Sequence, residues 1–226
     1  MPLKITYHGH STFLLDDGTH RLLLDPFHDD NPSCTTPAEA IQCTHILVSH
    51  GHEDHMADAA NIALRCKATV FATHEITTYL GEQGVTDLEP GNTGGCIQAP
   101  FGSIDFTPAL HSSSFQGRYM GDPLGAVITM GGHRTYFAGD TALFSDMKLI
   151  KTLYRPDIAI LPIGDRFTMG PKHAAMAAEW ISPRLVIPCH YNTWDPIRVD
   201  HQLFNPAGIE TRFLEPGQTL ETESIS

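Results

Sequence analysis

Four short apolar stretches of this chain share one pattern, and this pattern constrains the fold more than any other feature of the sequence. Each has the length and composition of a buried β-strand and ends in small residues next to a side chain that can bind a metal or carry negative charge. Proteins of the α/β class place their chemistry at such carboxyl ends of strands. The four are Ile46–Val48 before Ser49-His50-Gly51-His52, Thr135–Ala138 before Gly139-Asp140-Thr141, Ile158–Leu161 before Pro162-Ile163-Gly164-Asp165, and Leu185–Ile187 before Pro188-Cys189-His190.

The signals around these stretches predict an α/β protein with mixed sheets in the middle and helices outside. Hairpin-like strands at the amino terminus stand beside strand–helix units, and this combination favours mixed sheets over one purely parallel sheet. The additional predicted strands are Leu3–Tyr7, Thr12–Asp16, Arg21–Asp25 and Ala68–Ala72, and the predicted helices are Met56–Cys66, Ala142–Leu153 and Pro171–Trp180.

Length and charge narrow the function classes. A chain of 226 residues without a linker or low-complexity tract fits a single domain spanning residues 1–226. The formal net charge of −12 disfavours contact with nucleic-acid phosphates or anionic lipid. A small anionic substrate stays compatible with this charge, because bound cations reverse the sign inside a pocket.

The ends of the chain and the cysteines point to the cytoplasm. The amino terminus has no apolar segment typical of a signal peptide, and no run approaches the ~18 apolar residues needed to span a bilayer. Five cysteines, an odd number without Cys-x-x-Cys spacing, predict reduced thiols. We expect the residues from Glu221 onward to fray. A homo-oligomer is compatible with everything above.

The densest chemical signal is His50-Gly51-His52-Glu53-Asp54-His55. Two histidines two positions apart can bind one cation as the chain leaves a strand, while Asp54 and His55 project differently and can bind a second. The helical metalloprotease motif is absent, because Met56 stands where its second histidine would be needed.

This His-x-His-x-Asp-His pattern resembles the signature of the metallo-β-lactamase superfamily. Other parts of that signature follow in order: Asp25 in Leu23-Leu24-Asp25-Pro26, His111 at a strand end, Gly139-Asp140-Thr141, and His190. The opening His8-Gly9-His10-Ser11 and Asp25-Pro26-Phe27 are similar to a small metal-dependent hydrolase branch related to L-ascorbate-6-phosphate lactonases and to phosphodiesterases that cleave acylethanolamine phospholipids. The implied fold is the αββα sandwich of two mixed β-sheets flanked by helices.

The resemblance also implies a ligand set for two divalent metal ions. One ion would be bound by His50, His52 and His111. The other would be bound by Asp54, His55 and His190, with Asp140 bridging both and Asp25 orienting a ligand histidine. Imidazole and carboxylate ligands suit zinc first, and also manganese, nickel or iron. From the residues alone, His111 and His190 also fit ordinary buried histidines, and Asp140 also fits a helix N-cap.

A metal site of this kind predicts that the protein is a hydrolase. Two divalent cations share a hydroxide near neutral pH, which attacks an ester, lactone or phosphodiester of a small substrate, and Asp54 and Asp140 are the predicted catalytic residues. His8, His10, His173 and Arg166 are candidates to line the pocket. Two alternatives remain: a di-iron protein of oxygen or nitric-oxide chemistry, and a metal-binding sensor without catalysis.

Overall fold

Two seven-stranded β-sheets pack face to face, with helices on their outer sides, in the computed structural model, which describes residues 2–222. The strands are β1 (Lys4–Gly9), β2 (Thr12–Asp16), β3 (Arg21–Leu24), β4 (His45–Leu47), β5 (Thr69–Thr73), β6 (Leu88–Gly91), β7 (Cys96–Ala99), β8 (Gly102–Pro108), β9 (Ser114–Phe115), β10 (Arg118–Tyr119), β11 (Leu124–Met130), β12 (His133–Phe137), β13 (Ile158–Pro162), β14 (Leu185–Cys189), β15 (Glu210–Thr211) and β16 (Thr219–Glu221). The helices are α1 (Glu53–Met56), α2 (Ala59–Cys66), α3 (His74–Glu82), α4 (Met147–Leu153) and α5 (Pro171–Ile181).

Both sheets are mixed. The first has the order β16-β1-β2-β3-β4-β5-β6, in which β3 to β6 run parallel and the other neighbours run antiparallel. The second has the order β15-β14-β13-β12-β11-β8-β7, with β12 to β15 parallel. The arrangement confirms the predicted αββα sandwich of two mixed sheets flanked by helices.

The inner faces of the two sheets share one hydrophobic core. Phe13 and Leu24 of the first sheet meet Phe106, Ile128 and Ile160 of the second there, and all five are fully buried. Helices α2 and α3 cover the outer face of the first sheet, and α4 and α5 cover that of the second. Strands β13 and β14 are buried at every position because both of their faces are covered, hence their unbroken apolar sequence. One domain over residues 1–226 remains our interpretation of this shared core.

Two predicted helices are shorter than expected. The segment 56–66 is divided between α1 and α2. The break falls at Asp58, because its carboxylate accepts hydrogen bonds from the backbone N–H groups of His28 (2.6 Å) and Asp29 (3.2 Å). Helix α4 begins at Met147, not at residue 142. The residues before it bond to neighbouring loops instead, since the N–H of Ala142 donates to the Leu110 carbonyl.

The ends of the chain and the cysteines complete the comparison with the sequence. The expected fraying from Glu221 is wrong for that residue, which pairs with Lys4 in the first sheet, and residues 223–226 lie outside the described part. All five cysteines are free thiols, as predicted. No helix within residues 2–222 is long and apolar enough to cross a bilayer.

Candidate metal centre

Imidazoles and carboxylates from five places in the chain converge at one edge of the sandwich. The turn after β4 and the short helix α1 carry four of them, and the others follow β1, β8, β12 and β14. The parallel strands β4, β12 and β14 bring their carboxyl ends to this edge, as their sequence predicts. The converging residues are His10, His50, His52, Asp54, His55, His111, Asp140 and His190.

The first group of potential ligands is His50, His52 and His111, and one ring nitrogen of each lies within 4.8 Å of those of the other two. Nε2 of His50 is 3.0 Å from Nδ1 of His52. Gly51 makes this tight grip possible: a Cβ there would overlap the side chain of Met120. This group is the trio that the resemblance assigns to one metal ion.

The second group contains Asp54, His55 and His190, and the structure adds His10 to it. Oδ2 of Asp54 lies 3.0 Å from Nε2 of His10, 3.6 Å from Nε2 of His190 and 3.7 Å from Nε2 of His55. The side chain of Asp54 keeps 24% exposure, whereas the three imidazoles are buried.

Asp140 lies between the two groups. Its Oδ2 is 3.0 Å from His190 Nε2 and 3.3 Å from His55 Nε2 in the second group, and 3.6 Å from His111 Nε2 in the first. The alternative interpretation of Asp140 as a helix cap is wrong, because the next helix starts seven residues later, at Met147. Its position suits a bridging ligand.

The donor spacing fits bound cations. Two ligands bound tetrahedrally at about 2.0–2.2 Å lie about 3.3 Å apart, within the range of the contacts above. Two of the atoms involved, His55 Nε2 and Asp140 Oδ1, are buried and have no hydrogen-bond partner. Buried polar atoms without partners are costly, and a cation satisfies both. The residues present therefore fit bound divalent metal.

In the absence of a cation, protonated histidines balance the negative charge of the carboxylates. Burial lowers the pKa of His190, but the Asp140 carboxylate raises it to about 9. Burial also opposes charge on His55, yet Asp140 and Asp54 hold its pKa well above the usual range. Burial alone would raise the pKa of Asp140, but His190 and His55 hold this pKa well below the usual range. A cation that enters the site would take the place of these protons.

Asp25 lies behind the second group and forms a hydrogen bond with its His55. Its carboxylate accepts hydrogen bonds from the Ser49 N–H (2.7 Å), the Ser49 hydroxyl (2.6 Å) and Nδ1 of His55 (2.7 Å). With Nδ1 donating to Asp25, Nε2 of His55 faces the site with its lone pair. Asp25 is fully buried and has a positive φ of 44°, a conformation that costs energy and that occurs preferentially at functional sites.

Three contacts hold His10 in place. Its Nδ1 lies 2.8 Å from the Thr193 hydroxyl, its ring stacks on Trp194 with 4.7 Å between centroids, and its carbonyl accepts the N–H of His190 at 2.7 Å. Nε2 is thereby aimed at Asp54. The sequence placed His10 among pocket candidates only, and the structure places it in direct contact with a proposed ligand.

A cavity of about 360 Å³ opens onto both groups. Its walls combine five proposed ligands with two aromatic side chains and Ser112. Phe167 and Ser112 were missed in the sequence, although Phe167 follows the end of β13, where a pocket residue is expected. The lining residues are His52, Asp54, His111, Ser112, Asp140, Phe167, His190 and Trp194.

Three pocket candidates from the sequence lie elsewhere. His173, in the first turn of α5, lines a separate cavity with Asp165 and Leu203. The guanidinium of Arg166 lies over the Phe167 ring, 5.6 Å from its centroid, and Arg166 does not line the main cavity.

His8, the third, points away from His10. Strands β1 and β2 shift register between Tyr7 and Gly9, and this bulge breaks the two-residue alternation that would place His8 and His10 on one face. His8 instead packs against His28, and burial together with His28 lowers the pKa of His8 to about 4.

Comparison with known proteins gives consistent results. A family model described as a beta-lactamase superfamily domain matches residues 4–190. Metal-dependent hydrolases from Deinococcus radiodurans and Geobacillus thermodenitrificans are each 46% identical to this chain over 97% of its length, and the alignments cover 99% and 100% of those relatives. The solved structure of Igni18, a metallo hydrolase from the hyperthermophilic archaeon Ignicoccus hospitalis, matches with a TM-score of 0.89 and 37% identity over 98% of both chains.

Proposed function

Since this chain belongs to the metallo-β-lactamase superfamily and is a metal-dependent hydrolase of that type, we propose that it cleaves an ester, lactone or phosphodiester bond of a small substrate at a pair of divalent cations. The observation that carries the proposal is the convergence of two ligand groups on either side of Asp140, with donor contacts of 3.0–3.7 Å. Zinc is the cation that we propose first.

Two cations held there would supply a hydroxide nucleophile near neutral pH and would offset negative charge that develops on the substrate. Asp140, buried between the groups, keeps them in register. Asp54 both lines the cavity and keeps a partly exposed carboxylate, so we assign to it the orientation of the attacking water and the relay of its proton. His10 fixes the rotamer of Asp54 through the 3.0 Å contact.

The cavity supports a small substrate with an apolar part. A volume of about 360 Å³ lies at the lower end of the range for small-molecule sites. Phe167 and Trp194 offer an apolar wall opposite the polar groups. No lysine or arginine among residues 2–222 lines this cavity, so the preference for an anionic substrate that we propose would depend on the cations alone.

A comparison of three variants tests the function. We expect His52→Ala and Asp140→Ala to lose bound metal and more than about 100-fold in hydrolytic rate on a panel of lactones, esters and phosphodiesters. His173→Ala, a histidine outside the site, serves as the matched control and should keep both. Retention of metal and rate in both site variants would overturn the proposal.

The metal content of protein purified without added metal separates the alternatives. Zinc in a colourless protein supports the hydrolase. Iron in quantity, with visible absorbance, would favour the di-iron redox alternative, and full metal loading without turnover on the whole panel would favour the sensor. Cytoplasmic location, homo-oligomerisation and the absence of a nucleic-acid partner stay predictions from the sequence.

A further inference from the structure

A second cluster of ligand-type side chains lies apart from the two groups at the metal centre. One potential ligand atom from each of His8, His28 and Cys34 lies within 4.8 Å of the others. His8 and His28 are 6% and 3% exposed, and Cys34 is partly exposed. None of the three lines the main cavity or belongs to the two ligand groups described above.

The two imidazoles of this cluster lack partners. Both ring nitrogens of His8 are buried without a hydrogen bond, and so is Nε2 of His28. Nδ1 of His28 donates to the Thr36 carbonyl at 3.0 Å, which leaves the unpartnered Nε2 with its lone pair. Three orphaned nitrogens in one place are unusual, because burial of an unpaired polar atom costs free energy that a native structure normally avoids.

The loop that carries Cys34 is built to hold it there. The Cys34 N–H donates to the Asn31 carbonyl at 3.0 Å, and the Asn31 side chain bonds to the Phe27 carbonyl and the Ser33 N–H. The loop lies directly on β1, since a Cβ at Gly9 would be 3.1 Å from that of Ser33. Sγ of Cys34 lies 3.4 Å from Nδ1 of His28, and its thiol donates to the Thr36 carbonyl at 3.2 Å, a hydrogen bond that a bound cation would replace.

We propose that His8, His28 and Cys34 bind a structural Zn²⁺ ion that is distinct from the two cations of the hydrolytic centre. Two imidazoles and one thiolate are a ligand set typical of zinc, with water as the fourth ligand at the partly exposed side. The Thr36 carbonyl acts as the partner that fixes the tautomer of His28, as is usual for ligand histidines.

The ion would link two segments that also build the hydrolytic centre. His8 lies on β1, two residues before His10, and His28 follows Phe27, whose ring packs on the edge of the His10 ring with 5.9 Å between centroids. A zinc ion at this second cluster would clamp the loop of residues 27–34 to the end of β1 and so stabilise the position of His10.

Cobalt substitution tests this site without any use of hydrolytic activity. Bound thiolate gives Co²⁺ an intense near-ultraviolet charge-transfer absorption that imidazole and carboxylate do not give. The proposed ligands of the hydrolytic centre include no cysteine, so the absorption reports the second cluster alone. We expect it when the metal-free full-length chain is titrated with Co²⁺, and Zn²⁺ should displace it.

Matched cysteine variants identify the ligand. Cys34→Ser should lose the absorption and bind about one equivalent of Co²⁺ fewer per chain, whereas Cys96→Ser, at an exposed cysteine on β7, should behave as the unmodified protein. No thiolate absorption in the unmodified chain, or its survival in Cys34→Ser, would overturn the proposal.

A second variant guards against a folding defect. His8→Leu removes two unpaired buried nitrogens and should fold at least as well as the unmodified chain when metal is absent. It should bind Co²⁺ at this cluster more weakly and lose most of the absorption. An unchanged absorption and stoichiometry in His8→Leu would show that His8 is no ligand and would also overturn the proposal.

Discussion

Nε2 of His10 lies 3.0 Å from Oδ2 of Asp54, so a residue that directly follows the first strand contacts a carboxylate that lies 44 positions further along the chain. The side chain of His10 is fully buried, and that of Asp54 faces the cavity. The pair connects the amino-terminal hairpin to the proposed chemistry.

Loss of the His10 imidazole should weaken the second ligand group. His10→Phe keeps an aromatic ring against Trp194 but removes the contact to Asp54, and we expect the affinity for the more weakly bound cation to fall about 10–100-fold. Isothermal titration of the metal-free protein measures this. His201→Phe, at a partly buried histidine outside both clusters, is the control. An unchanged affinity in His10→Phe would show that the contact has no positioning role.

Asp25→Asn should disturb His55 without leaving a cavity. The amide keeps the shape of the carboxylate but loses the negative charge that accepts from Nδ1 of His55. Metal affinity should fall about 10–100-fold while the far-ultraviolet circular dichroism stays native. Asp17→Asn, at a surface turn, is the matched control. Equal metal affinities in both variants would contradict the role given to Asp25.

Gly51→Ala should destabilise the protein even without metal. The new Cβ would overlap the Met120 side chain, and overpacking of this kind costs about 1–3 kcal/mol in the free energy of unfolding. Gly81→Ala in α3 is the control: its Cβ meets nothing closer than 3.4 Å, so helix propensity should stabilise the protein by about 0.5–1 kcal/mol. Urea denaturation of both metal-free variants measures whether each substitution lowers or raises the free energy of unfolding. A neutral Gly51→Ala would show that the turn after β4 shifts freely.

Metal binding should release protons, and its affinity should rise with pH. In the metal-free protein the pKa of His190 is raised to about 9, so the imidazole carries a proton that a cation must displace. The proton on His190 competes fully with the cation at neutral pH, and this competition ends as pH rises through about 9. Titrations in buffers of different ionisation enthalpy measure the release. Affinity that stays constant between pH 7 and about 9 would contradict the charge state assigned to His190.

In the metal-free protein, the stability of the fold should fall as pH rises, whereas metal affinity rises. Because the pKa of His190 in the folded metal-free chain lies above its unfolded value, its contribution to stability is fully present below about pH 6.5. That contribution is lost as pH rises through about 9. Chelated protein should therefore unfold at lower urea concentration at pH 9.5 than at pH 6. His190→Gln should reduce this difference.

The amino-acid sequence determined the chemical class and most of the architecture. The unbroken apolar runs of β4, β13 and β14 mark strands covered on both faces, and the ligand residues stand at their carboxyl ends because parallel strands collect those ends at one edge. The six residues 50–55 predicted metal binding without any knowledge of the fold. Local residue type and spacing carry this information.

Only the tertiary structure decided which of the remaining polar residues face the site. Alternation along β1 would have placed His8 and His10 together, but the bulge between Tyr7 and Gly9 separates them into two clusters. His28 and Cys34 have no ligand spacing in the sequence and meet His8 only because a hydrogen-bonded loop lies across the strand. Contacts between segments distant in the chain depend on register and loop docking, and no local pattern records either.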